Sequence, residues 1–64
     1  MDFVDFLEKQ IYEEANDAEK YMEWADKCSD AHCRDVLNSI AEQEFEHQKK
    51  LISALAVMAK KVLV

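Results

Sequence analysis

Three ionisable side chains, Glu14, Glu44 and His47, interrupt stripes that are otherwise apolar. The first stripe reads at positions 7, 11, 14, 18, 21 and 25, and seven helical residues advance by only about −20°, so Glu14 points almost the same way as Leu7 and Tyr21. The second reads at positions 37, 40, 44, 47, 51, 55 and 58, and Glu44 and His47, three apart, project from one face of one turn. An unpaired carboxylate in an apolar seam is costly, or takes up a proton until it is neutral. A two-fold assembly would double the set to four Glu and two His. Two divalent cations would then balance the four carboxylates. Carboxylate with imidazole suits iron, manganese or zinc. Such a site keeps coordination positions open for water or oxygen, as redox or hydrolytic chemistry needs and a closed structural zinc site does not.

These residues must be carried by two helices. Apolar side chains at Phe3, Leu7, Ile11, Ala15, Ala18, Tyr21 and Ala25 have the three-and-four spacing of an amphipathic helix, and a second pattern runs from near Asp30 through Leu37, Ile40, Leu51, Leu55, Met58 and Val62. Between them, Cys28-Ser29-Asp30 is a cluster of short polar side chains, and Ser29 or Asp30 is a natural cap for the second helix. Helices are expected at about 3–27 and 30–60, with Glu23 and Lys27 forming an i,i+4 pair. Glu14 lies 15 residues before Ser29 and Glu44 lies 15 after it. In an antiparallel hairpin both sit about 22 Å from the turn, at one level.

The 64 residues include no Gly and no Pro, as long unbroken helices require, and form one domain without repeat or linker. A chain this short is marginal alone and usually needs a metal, a disulfide or a partner. Half its residues are hydrophobic, so self-association is expected. The net charge of −6 leaves no basic stripe for phosphates and argues against a nucleic-acid partner. Residues 48–64 hold Lys49, Lys50, Lys60 and Lys61 without an acid, an arrangement that helix dipoles favour. The start is acidic and amphipathic rather than signal-like. The longest apolar run, Leu51 to Ala59, contains Ser53 and is too short to span a bilayer. A soluble cytoplasmic protein with no membrane partner is the expectation.

Glu14 followed by Glu44-Phe45-Glu46-His47, an E-x-x-H element, resembles the di-iron motif of the ferritin-like superfamily, which includes the rubrerythrins. The chain carries the motif once. It is therefore most similar to the encapsulated ferritins, whose half-bundles pair to build a ferroxidase centre between subunits. The separation of Glu14 from Glu44 fits that group, as does Tyr21, and the similarity covers about residues 7–51. The resemblance implies an all-α fold: a two-helix antiparallel hairpin that dimerises into a ferritin-like four-helix bundle. It implies a di-iron cofactor shared by two subunits, with Mn or Zn as alternatives, and Glu14, Glu44 and His47 as metal-binding and catalytic residues. It implies a homodimer at minimum, higher homo-oligomers, and an encapsulin shell as a further partner. No cargo-loading tail is recognisable after Val64, so the cytoplasm remains the expected location, with the inside of an encapsulin nanocompartment as the alternative.

Ferroxidase activity in iron storage or detoxification is the leading function. A non-catalytic dimerisation module with a structural metal is one alternative, and a peroxide-reducing protein of rubrerythrin type is another. Glu13, Asp17, Glu42 and Glu46 fall off the stripes and read as solvated. Tyr21 is a core residue whose hydroxyl is expected near a ligand carboxylate. Phe6, Trp24, Phe45 and Ile52 lie outside the main seam and suggest a second interface. Cys28, His32 and Cys33 flank the turn, where a disulfide or a second metal site can be imagined. Free thiols are the better reading, with Cys33 expected to be somewhat reactive for its place near a helix N-terminus.

Overall fold

A computed structural model describes residues 2–63, with the side chains of residues 62 and 63 outside the description. It contains two helices, α1 (Phe3–Lys27) and α2 (Ala31–Leu63), packed along each other as a hairpin of 52 × 18 × 11 Å. Asp2 starts α1, its side chain accepting the Asp5 N–H at 2.8 Å. The Cys28 N–H closes on the Ala25 carbonyl at 3.2 Å and ends the helix. Asp30 then caps α2, its Oδ1 accepting the Cys33 N–H at 2.8 Å. The Arg34 guanidinium spans the corner and donates to the Cys28 carbonyl at 3.3 Å. No described residue has a positive φ. The corner is thus built from conformations any L-residue adopts, and needs no glycine.

The helix bounds depart from expectation in two places. Asp30 serves as the cap, so α2 begins at Ala31, and it continues beyond 60 to Leu63. Val62 carries the last position of the expected stripe, and its side chain lies outside the described residues. The Glu23–Lys27 pair is replaced by a different contact: Lys27 Nζ stands 4.9 Å from the centroid of the Trp24 ring. The indole face attracts the ammonium.

Four buried apolar residues form the described core: Leu7, Ala18, Ala25 and Ala41. Three are alanines, which let two helix backbones approach closely. Ala41 lies outside the expected seam, although it stands three residues before Glu44. The rest of the stripe is only half-buried: Ile11, Tyr21, Leu37, Ile40, Leu51, Leu55 and Met58. The hairpin exposes 4998 Å², where a compact monomer of 7.5 kDa exposes about 4,200 Å². Trp24, Phe6, Phe45 and Ile52 are exposed, as their off-seam positions require. No described helix is long and apolar enough to cross a membrane.

Candidate metal centre

Glu14 sits mid-way along α1, one turn from the buried Ala18 and two turns from the buried Leu7, on the edge of the stripe that turns towards one open face of the hairpin. Glu44 and His47 occupy consecutive positions on the matching edge of α2. The helices bring the three together as their heights require. One ligand atom from each lies within 4.8 Å of the other two, and no other such cluster occurs among the described residues. Glu14 and Glu44 are half-buried and His47 is exposed. His47 therefore departs from the stripe reading. It stands at the rim, its side chain 55% exposed, with Nδ1 3.5 Å from Glu14 Oε2.

That contact is not a hydrogen bond. Glu14 Oε2 is buried and has no hydrogen-bond partner within the hairpin. Two ionised carboxylates offer each other no donor. A proton on Glu44 would be shared with Glu14, and this hydrogen bond is the largest cause holding the Glu44 carboxyl above its ordinary range. Partial burial and the negative charges of Glu14 and Asp17 act in the same direction, while His47 opposes them. Asp17 thus has a reach that its off-stripe position concealed. It is exposed, as expected, yet it lies one turn from Glu14 and its charge is felt at Glu44. The i,i+3 spacing from Glu14 was the signal.

The residues fit a metal. An orphaned carboxylate oxygen, a second carboxylate whose charge its acidic neighbours oppose and an imidazole nitrogen are what a divalent ion of the first transition row satisfies together. Two ligand atoms on one such ion lie at most about 4.4 Å apart, so binding requires only a small contraction. A cleft of about 310 Å³ opens beside the cluster, lined by Phe6, Gln10, Glu14, His47, Lys50 and Leu51. Its apolar walls and open side place the cluster on a surface, not in a finished interior. The Tyr21 hydroxyl makes no hydrogen bond to Glu14 or Glu44 among the described residues. Tyr21 itself is half-buried.

The cysteines form no second metal cluster with His32 among the described residues. Both thiols are free, Cys28 half-buried and Cys33 exposed. Cys33 corrects one expectation. The Asp30 carboxylate beside it, then Cys28, push its thiol upward, overriding the helix N-terminus.

Comparison with curated proteins and with solved structures yields no match. The family model for rubrerythrin, a group of di-iron carboxylate proteins, matches residues 5–63, nearly the whole chain and all three residues of the cluster. The chain belongs to the rubrerythrin family, within the ferritin-like superfamily.

Proposed function

We propose that two copies of this hairpin associate through the face bearing Glu14, Glu44 and His47, hold a di-iron centre between them, and use it to oxidise Fe(II). The observation that carries the reading is the ligand cluster on an open, apolar-walled face. Glu14 Oε2 is orphaned there and the flanking stripe is half-exposed. One hairpin offers two carboxylates and one imidazole. Two offer four carboxylates and two imidazoles, the set that four-helix di-iron bundles use. The same association covers the Ile40, Leu51 and Met58 side chains that a lone hairpin leaves partly wet.

Bound iron supplies one-electron redox steps that no side chain here provides. Two Fe(II) give up two electrons in total. Dioxygen takes both with two protons and leaves as hydrogen peroxide, while peroxide as the oxidant is reduced to two waters. Glu14, Glu44 and His47 of each subunit would hold the metal. Asp17 and the other acids of α1 make the approach attractive to cations. Peroxide reduction as the net reaction is also consistent with the rubrerythrin match. The two cysteines of this chain do not make a four-cysteine iron site, so electrons for that reaction would come from a donor outside these residues.

The test is Fe(II) oxidation in air by metal-free protein reconstituted with iron, followed optically, with iron content and oligomeric state measured on the same sample. Two iron per dimer, with loss of oxidation in Glu44→Ala and His47→Ala, supports the reading. Wild-type behaviour of both variants overturns it.

A further inference from the structure

Two exposed aromatic residues of α1 share a line that passes the metal cluster. Phe6 and Trp24 are eighteen residues apart, five full turns at 100° per residue, so both leave the helix in the same direction. Phe6 lines the cleft beside Glu14 and His47, which puts that line on the face of the cluster. In the lone hairpin Phe6 is 44% and Trp24 63% exposed, and Phe3, stacked on Phe6 with ring centroids 6.3 Å apart, is also exposed. Midway between Phe6 and Trp24 is Ala15, next to Glu14. On the other helix, His47 is the central residue of α2 (Ala31–Leu63). The cluster therefore marks the centre of the aromatic line and of the longer helix together. Charge is divided about the same centre. Towards the open end, residues 2–10 and 48–63 carry five bases against three acids, and towards the corner residues 17–42 carry seven acids against three bases.

From this symmetry we infer that a second copy docks antiparallel on the cluster-bearing face, with Phe6 of each hairpin packed against the partner's Trp24. The inference rests on the two-copy centre proposed above and adds its orientation. A two-fold axis perpendicular to α1 at the level of Glu14 exchanges the two ends of the aromatic line. Trp24 stands ten residues, about 15 Å, to the corner side of Glu14, and Phe6 eight residues, about 12 Å, to the other. Each indole thus arrives beside the partner's Phe3 and the partner's Phe6. Ring contacts then close the interface on both sides of the metal and keep water from it. The same operation lays the basic open end over the partner's acidic corner half. Packed helix axes are about 8–10 Å apart, within one Debye length at physiological salt, so this attraction survives screening. Because the cluster is central, α2 also overlaps its copy from end to end. Parallel docking would set acid on acid at the corner and base on base at the open end. It would also hold Phe6 about 27 Å along the axis from the partner's Trp24. Phe6 and Trp24 are thus the rim of the first interface, not the second one that their off-seam positions suggest.

The test is a distance. The full-length chain with Cys28→Ser, Cys33→Ser and Ser29→Cys carries one spin label at the exposed corner position. Its dimer is isolated with diamagnetic Zn(II) in place of iron, and the separation of the two labels is read by pulsed electron resonance. Each corner lies about 22 Å from the cluster, so antiparallel docking should give about 45 Å and parallel docking less than about 25 Å, two helix diameters. Trp24 is the chain's only tryptophan, and its emission is the second readout. Phe6→Ala should red-shift that emission in the dimer and leave it unchanged in dilute monomer, because within one hairpin the two residues are about 27 Å apart. Phe6→Ala and Trp24→Ala should each weaken the dimer about tenfold by sedimentation, and the double variant by much less than the product of the two. Circular dichroism shows that each hairpin stays helical. Short label separations in the dimer would overturn the orientation and leave the two-copy metal centre standing. Unshifted emission in the Phe6→Ala dimer, or additive losses, would overturn the ring contact. A chain that stays monomeric with metal bound would overturn this inference and the proposed function together.

Discussion

Glu14 Oε2 and His47 Nδ1 stand 3.5 Å apart on opposite helices, and the contact leaves the carboxylate oxygen without a hydrogen bond. An imidazole nitrogen and a carboxylate oxygen this close, with no hydrogen bond between them, offer a cation two ligand atoms in one small volume. Removing the imidazole as His47→Ala should weaken iron binding by more than the roughly 10–100-fold that loss of a hydrogen-bonding neighbour of a ligand costs. Titration of metal-free protein with Fe(II) under exclusion of oxygen measures it. Binding within a few-fold of wild type would remove His47 from the centre.

Metal-free protein should lose stability as pH rises through the range of Glu44. The Glu44 carboxyl is held above its ordinary value of 4.5 by sharing a proton with Glu14. A group with a higher pKa folded than unfolded binds more protons in the folded state, so stability falls with rising pH. The penalty is absent below 4.5, grows between 4.5 and the raised value, and persists in full above it. Thermal melts in chelator across that window, compared with Glu44→Gln, isolate the effect. Adding metal should reverse it, because bound cation favours the ionised form and binding releases the proton.

Self-association should be set by the half-buried stripe. Leu51 lines the cleft beside His47, and Leu51→Glu places a charge there. Sedimentation velocity should show wild type as a dimer or larger and the variant shifted to monomer, with iron oxidation falling in parallel. A wild-type monomer that oxidises iron at full rate would separate the chemistry from assembly.

Ala18 has no exposed surface between the helices. Enlarging it as Ala18→Leu forces α1 and α2 apart and should cost about 1–3 kcal/mol. For a domain of this size that is a fall of roughly 4–8 °C in Tm per kcal/mol. Because the spacing of Glu14 from Glu44 widens with it, metal affinity should fall in step.

Asp30→Ala removes the cap of α2 and should lower Tm at neutral pH. The Cys33 N–H holds the Asp30 carboxyl below its ordinary value of 3.8. A depressed folded pKa gives stability that is present above 3.8 and disappears as pH falls through the folded value. The gap between wild type and variant should therefore narrow in strong acid, as melts at the two extremes will show.

The helices, the corner and the common height of Glu14, Glu44 and His47 were legible because a helix has a fixed rise and a fixed angular step. Counting residues to Ser29 was enough. Ala41 was not legible. A small apolar residue between Ile40 and Glu42 carries little pattern, and only the packed pair shows that α2 turns its alanine, rather than Ile40, towards α1. His47 reads as buried only if a second hairpin is assumed. One hairpin leaves it at the rim. Lys27 had two suitors, and a pattern of charges does not register the face of Trp24. The influence of Asp17 on Glu44 crosses between helices and is felt through space, where stripe membership says nothing.

The corner from Cys28 to Asp30 contains no left-handed residue, and this makes it a ruler. No backbone conformation there demands glycine, so apart from the Asp30 cap the corner constrains length of helix more than identity of side chain. One residue inserted within α1 between Glu14 and the corner slides Glu14 by about 1.5 Å and swings it by about 100° relative to Glu44 and His47. A single-residue insertion would dismantle the cluster while leaving both helices intact, whereas a polar replacement within the corner would leave the cluster whole. The common height of Glu14, Glu44 and His47 is set by the lengths of helix on either side of a corner whose residues lie outside the cluster.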